Sequence, residues 1–148
     1  MKINLPETRL RIKTVDGIVS VFDRLRNKYV AHTPEEHIRQ LFVNFIIESL
    51  GYPSGLMGNE VSINQNGIRR RCDTVVFDKT ANPVMIIEYK APSVAITQEV
   101  FNQIYRYNTV LKAKYLVVTN GTDLYCCHND YEKMKCSFLT ALPTSDML

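Results

Sequence analysis

The chain has 148 residues, enough for one domain with a single core and no staples. Hydrophobic residues make up 45% and charged residues 22%, and no apolar run approaches the ~20 residues of a membrane span, which excludes a helical membrane protein. The net charge of +3 permits contact with nucleic acid without demanding it. The N-terminal stretch MKINLPETRLRIK lacks the apolar core of a signal peptide. Cys72, Cys126, Cys127 and Cys136 form no CxxC pair, so reduced thiols in a cytoplasmic protein are expected.

In chain order, the first element expected is a β-hairpin over about residues 9–23, which turns at Asp16-Gly17. Leu10, Ile12 and Thr14 alternate with charges before the turn, and Val19 and Val21 alternate after it. A helix starts next, with Thr33 as cap, Pro34 at the first helical position and Glu36 completing a capping box. Ile38, Leu41, Phe42, Phe45 and Ile46 make one apolar stripe, and Gly51 stops the helix after Leu50. Three strands follow, at roughly 59–64, about 70–77, and Val84 to Lys90. Ala91-Pro92 closes the third, because proline cannot extend a central strand. A second helix is expected at about 95–112, with Ile96, Val100, Ile104, Tyr107 and Leu111 on its buried face. The short buried strand Tyr115–Val118 then returns through an Asn120-Gly121 hairpin to Leu124-Tyr125-Cys126. The last 20 residues carry little signal and are expected to fray. The fold class is therefore α/β (α+β): a mixed central sheet flanked by helices, with an N-terminal β-hairpin.

One cluster carries chemistry. Alternation along the third strand puts Glu88 and Lys90 on one face and Tyr89 on the other. Pairing Phe77 with Val84 in an antiparallel hairpin sets Asp73 opposite Glu88. Two carboxylates facing each other across a sheet repel, and a divalent cation between them reverses the sign of that interaction. Hard cations such as Mg²⁺ accept one or two carboxylates with phosphate oxygens and waters, which suits phosphodiester hydrolysis. Lys90 is placed to hold water or offset charge in the transition state, and the Tyr89 carbonyl is a further candidate oxygen ligand. Arg69-Arg70-Arg71 is the one dense basic run, a candidate DNA contact or a solvated strand end. His32, His37 and His128 show no metal-ligand spacing, no GxSxG is present, and Cys126-Cys127 sits in an apolar strand where thiols are inert.

The spaced motifs resemble the N-terminal nuclease module of type I restriction enzyme R subunits, within the PD-(D/E)xK nuclease superfamily. The stretches that carry the resemblance begin with Thr33-Pro34-Glu35-Glu36 with Arg39-Gln40, Gly51-Tyr52-Pro53 and Arg71-Cys72-Asp73. They continue with Ile87-Glu88-Tyr89-Lys90-Ala91-Pro92, Gln103 to Tyr107 and Val118-Thr119-Asn120-Gly121. Together they span about residues 30–125. The resemblance implies a restriction-endonuclease-like αβββαβ core, dependence on Mg²⁺ (or Mn²⁺) and a DNA substrate. It makes Asp73 and Glu88 metal ligands and Lys90 the catalytic lysine. It also makes Gln103 and Tyr107 the QxxxY pair that supports the site and contacts DNA, four apart on one helical face. Without the family, Tyr107 reads as core and Gln103 as rim. Glu36 corresponds to a first-helix acid that approaches the metal, although its capping role alone accounts for it. Glu60 starts a strand and reads as exposed. Cys72 stands where the superfamily motif has proline, and no GxxxxGK[ST] motor motif occurs in the chain.

The reading is thus a Mg²⁺-dependent DNA endonuclease domain, with other restriction-system subunits or a second copy as candidate partners. The alternative is a non-catalytic DNA-binding or assembly module that keeps the nuclease fold, or an interaction domain that binds neither DNA nor metal.

Overall fold

The computed structural model describes residues 1–148. Its first unit is a three-stranded antiparallel sheet of β1 (Ile12–Val15), β2 (Ile18–Asp23) and β3 (Lys28–Ala31). The hairpin expected from Asp16-Gly17 is β1–β2, and β3 is an addition to it. The turn into β3 contains no glycine. Instead, Asp23 accepts the backbone N–H groups of Leu25 and Arg26, and Asn27 takes a positive φ of 53°.

Helix α1 (Pro34–Glu48) is capped by Thr33, whose hydroxyl accepts the Glu36 N–H. Only that half of the expected capping box exists, because the Glu36 carboxylate turns inward to other partners. The apolar stripe buries Ile38, Phe42 and Ile46 against the main sheet, each contributing roughly 1.5–3 kcal/mol. Glu36, Arg39 and Gln40 are buried as well, so the helix is covered on more than its apolar side. The N-terminal sheet meets α1 through Arg24, which bonds Asn44 and Glu48, and through Arg26, which bonds Glu36. After the helix, Gly51 adopts φ +72°, and the Tyr52 N–H returns to the Ile46 carbonyl.

The main sheet has six strands in the order β4 (Met57–Gln65), β5 (Ile68–Phe77), β6 (Pro83–Tyr89), β7 (Tyr115–Thr119), β8 (Leu124–Asp130) and β9 (Lys135–Phe138). Only β6 and β7 run parallel, since α2 (Gln98–Asn108) carries the chain between them. The order α1-β4-β5-β6-α2-β7 is the expected αβββαβ arrangement. One core joins the α1 face of the sheet through Met85, Ile87, Tyr89 and Val117. A second joins the α2 face through Val75, Ile86, Leu116 and Val118. No helix is long and apolar enough to cross a membrane.

The structure corrects four local expectations. Thr97 caps α2 later than expected, and a short 3-10 turn (Thr109–Leu111) follows it, ending where Lys112 adopts a left-handed conformation. The β5–β6 register shifts between Val76 and Phe77, so Phe77 pairs with Pro83 and not with Val84. The β7–β8 connection is longer than a two-residue turn, and Asn120 holds it by accepting the Thr122 and Asp123 N–H groups. Finally, the last 20 residues do not fray. β9 pairs with β8, the Tyr52 hydroxyl donates to the Pro143 carbonyl, and Leu139, Leu142 and Leu148 pack on the core.

Gly121 has φ +92°, and a Cβ there would lie 2.5 Å from Ile38 Cδ1. Gly121→Ala combines left-handed strain with overpacking, so thermal melting is expected to show a loss of about 2–4 kcal/mol. An unchanged melting temperature would mean that Ile38 swings aside and the loop relaxes.

Candidate active site

The ladder between β4 and β5 is continuous except at one place. Asn59 pairs with Thr74 and Val61 with Cys72, but Glu60 and Asp73 between them do not pair. Glu60 has φ +54°, a left-handed conformation that a non-glycine residue adopts at some energetic expense. The side chains of β5 also change faces here. Cys72 donates to Asn108 of α2, whereas Thr74 bonds Asn59 and the Tyr89 hydroxyl on the α1 side. Strict alternation would put Cys72 and Thr74 on one face. Asp73 is therefore the residue at which the strand turns over. Arg39 spans the break, donating from Nη1 to the Asp73 carbonyl at 2.9 Å and from Nη2 to Glu60 Oε1 at 2.7 Å.

Across the hairpin, Thr74 pairs with Ile87 as the last regular pair, and the Tyr89 N–H donates to Asp73 Oδ2 at 2.9 Å. Asp73 and Glu88 are thus neighbours at the open end of the β5–β6 ladder. Glu88 Oε1 is buried and has no hydrogen-bond partner. Burial first, then repulsion from Asp73, pushes the Glu88 carboxyl up to about 9. Glu35 feels the same charges: burial raises its carboxyl above the ordinary range, Asp73 adds to the rise, and Lys90 and Arg39 oppose it. Lys90 is half-buried, fixed by its N–H to the Thr119 carbonyl, and paired directly with no carboxylate. Burial, then the charges of Glu88 and Asp73, push the neighbouring Cys72 thiol up to about 12, so it is inert at neutral pH. Buried Cys126 is pushed up to about 12 as well.

The structure separates the remaining sequence candidates. Glu36 is engaged by other side chains: Oε1 accepts from Arg26 and Gln40, and Oε2 pairs with Arg39 at 2.8 Å. Its neighbour Glu35 senses Asp73 and Lys90. The signal for it was available, since Glu35 lies one turn before Arg39 on the helix. Glu60 is not simply exposed but pairs with Arg39 and Arg71. The Tyr89 ring packs edge-on against Phe42. Gln103 and Tyr107 share the exposed side of α2, so Tyr107 is not core, and neither bonds Asp73, Glu88 or Lys90. The basic run divides: Arg71 pairs with Glu60, while Arg70 donates to the Tyr107 carbonyl and stacks 4.5 Å from its ring. Arg69 reaches only Ser62, at 3.5 Å. Asn108, missed in the sequence, is buried beside Glu88 and lowers its pKa in part.

No group of three or more His, Cys, Asp or Glu side chains is gathered to hold a metal ion. That argues against a zinc cage. A hard cation differs in needing only one or two carboxylates, with waters completing its shell. The orphaned Glu88 oxygen beside Asp73 is the kind of site that such a cation would satisfy.

A solved structure with the same fold is a fragment assigned as an HsdR subunit of a type I restriction enzyme from Vibrio vulnificus YJ016. It aligns with a TM-score of 0.54 at 19% identity, over 76% of this chain and 24% of that one. The chain therefore spans about a quarter of the length of that relative. No curated protein matches the sequence. The model of the type I restriction enzyme R protein N terminus matches residues 34–143, from the start of α1 to beyond β9. With that match over most of its length, the chain belongs to the family of type I restriction enzyme R protein N-terminal domains.

Proposed function

We propose that the chain is a metal-dependent DNA endonuclease domain whose site is Asp73, Glu88 and Lys90, with Glu35 at its rim. The observation that carries this reading is the buried, unpartnered Glu88 oxygen next to a second carboxylate. A folded chain avoids placing two acids together in partial burial unless something compensates them. Asp73 and Glu88 would hold Mg²⁺ or Mn²⁺, the Tyr89 carbonyl being a further candidate donor. When bound, the cation supplies Lewis-acid polarisation of the phosphodiester and acidifies water. Lys90 orients the attacking water or offsets charge on the phosphoryl oxygens, for which its lack of an ion pair leaves it free. Arg39 holds the strand at Asp73 through the backbone and so fixes where that carboxylate points. Gln103, Tyr107 and Arg69 stand exposed to contact DNA, and other restriction-system subunits or a second copy are the candidate partners, in the cytoplasm.

Plasmid DNA incubated with the protein and Mg²⁺ is expected to be cut. Asp73→Ala and Lys90→Ala should each slow cleavage by at least ~10²-fold, the scale of removing one transition-state contact. No cleavage by the wild type, or cleavage by both variants at the wild-type rate, refutes the catalytic reading. Metal-independent, salt-dependent DNA binding without cleavage would favour an assembly module that keeps the fold.

A further inference from the structure

The charge of this chain is unevenly distributed. Residues 1–31 carry seven lysines and arginines against three carboxylates, whereas residues 32–148 carry eleven against twelve. The whole net positive charge thus lies before α1, ahead of the segment that matches the family model. One of the three N-terminal acids, Asp23, is buried and already paired with Arg26.

The cations are also placed on a surface. Phe22 and Tyr29 are directly opposed on β2 and β3, with ring centroids 5.3 Å apart and edge-on. The Arg11 guanidinium lies 4.3 Å from the Phe22 ring centroid, and the Lys13 ammonium lies 4.0 Å from that of Tyr29. Arg9, Arg11 and Lys13 are exposed, and none of them has a carboxylate partner. Beside this face is an open cleft of about 250 Å³, lined by Arg9, Arg11 and Arg24 and also by Glu48. Arg24 is neutralised by Glu48, so the free charge is that of Arg9, Arg11 and Lys13. The aromatic faces hold two of these cations in place without cancelling their charge.

We infer that the exposed face of the N-terminal sheet is a second nucleic-acid contact, in which Arg9, Arg11 and Lys13 grip the phosphate backbone of duplex DNA. This rests on the reading that DNA is the substrate, and it adds a positioning surface separate from Asp73, Glu88 and Lys90. Unpaired cations at fixed positions suit a polyanion of regular charge spacing, and phosphate contacts set register without reading sequence.

The test is fluorescence anisotropy of a labelled DNA duplex with the full chain, in EDTA, over roughly 50 to 200 mM salt. The variant Arg9→Gln/Arg11→Gln/Lys13→Gln is expected to bind at least ~10-fold more weakly at low salt. The slope of log affinity against log salt should fall by about 2–3, close to one per phosphate contact removed. Arg9→Lys/Arg11→Lys keeps the charge and should keep both affinity and slope, which separates charge from packing. Thermal melting of each variant confirms that the sheet is intact. Equal binding by the Gln variant and wild type overturns the inference, as does wild-type binding to phosphatidylserine vesicles but not to DNA. Because no metal is present, failure of the cleavage test leaves this result untouched.

Discussion

Glu88→Gln is expected to stabilise the metal-free protein while abolishing its response to divalent cations. The wild-type carboxyl is buried, one oxygen has no partner, and Asp73 is adjacent. An amide keeps the shape, needs no proton taken up on folding and can donate to Asp73. At pH 8 in EDTA the gain should be about 2–3 kcal/mol. That is less than ~1.4 kcal/mol for each pH unit over which the folded chain alone keeps the proton, because water and small movements relax the site. With Mg²⁺ at about a hundred times Kd, the wild type should gain ~2.7 kcal/mol and the variant nothing. A variant less stable than the wild type in EDTA would show that Glu88 is already satisfied, and the main ground for a cation site would be gone.

The pH dependence has a definite sign. Glu88 is raised in the fold, so between its ordinary value of 4.5 and about 9 the folded chain holds a proton that the unfolded chain has lost. Stability of the metal-free wild type therefore falls as pH rises through that window. Asp23 and Glu60 behave oppositely. Burial works against their charge, but hydrogen bonds and arginines outweigh it and lower both pKa values. Their contribution is present above the unfolded pKa and is lost as pH falls through the folded one. Metal-free melting curves should thus peak in mildly acidic buffer, and Glu88→Gln should flatten only the alkaline side.

Much of the site was legible because it depends on local rules. Thr33-Pro34 places the start of α1, and alternation with an antiparallel hairpin brings Asp73 and Glu88 together even though the bulge at Phe77 shifts the far end of the pairing. What was not legible depends on long-range partners. Glu35 and Glu36 are both plausible acids at a helix start. Glu36 is engaged by Arg39 and Gln40 on its own helix and by Arg26, ten residues earlier on a turn of the N-terminal sheet, and the Arg26 contact has no local signal. The left-handed conformation of Glu60 has no local signal, since nothing in Asn59-Glu60-Val61 suggests it. β9 was missed because Lys135-Cys136-Ser137-Phe138 is short and half exposed, and gains its order from β8.

Arg39→Ala is expected to be the most destabilising single change near the site, at about 3–5 kcal/mol. The Arg39 side chain is 7% exposed and pairs with Glu36, also 7% exposed, and with Glu60 at 22%. Its removal takes one cation from each of two carboxylates and leaves Glu36 only Arg26 and Glu60 only Arg71. It also frees the Asp73 carbonyl at the point where the β4–β5 ladder is interrupted. For a chain of this length the loss corresponds to roughly 10 °C in melting temperature. Stranded charge and lost backbone support can be told apart by neutralising the acids in the same background. If charge dominates, Glu36→Gln/Arg39→Ala/Glu60→Gln should recover most of the stability, because unpaired amides are cheaper to bury than carboxylates. If the Asp73 carbonyl dominates, stability stays low in the triple variant and divalent-cation binding weakens along with it, since the strand that presents Asp73 has lost its brace. A loss below ~1 kcal/mol for Arg39→Ala would mean that water reaches Glu36 and Glu60 freely, and that Arg39 is not what holds the break in place.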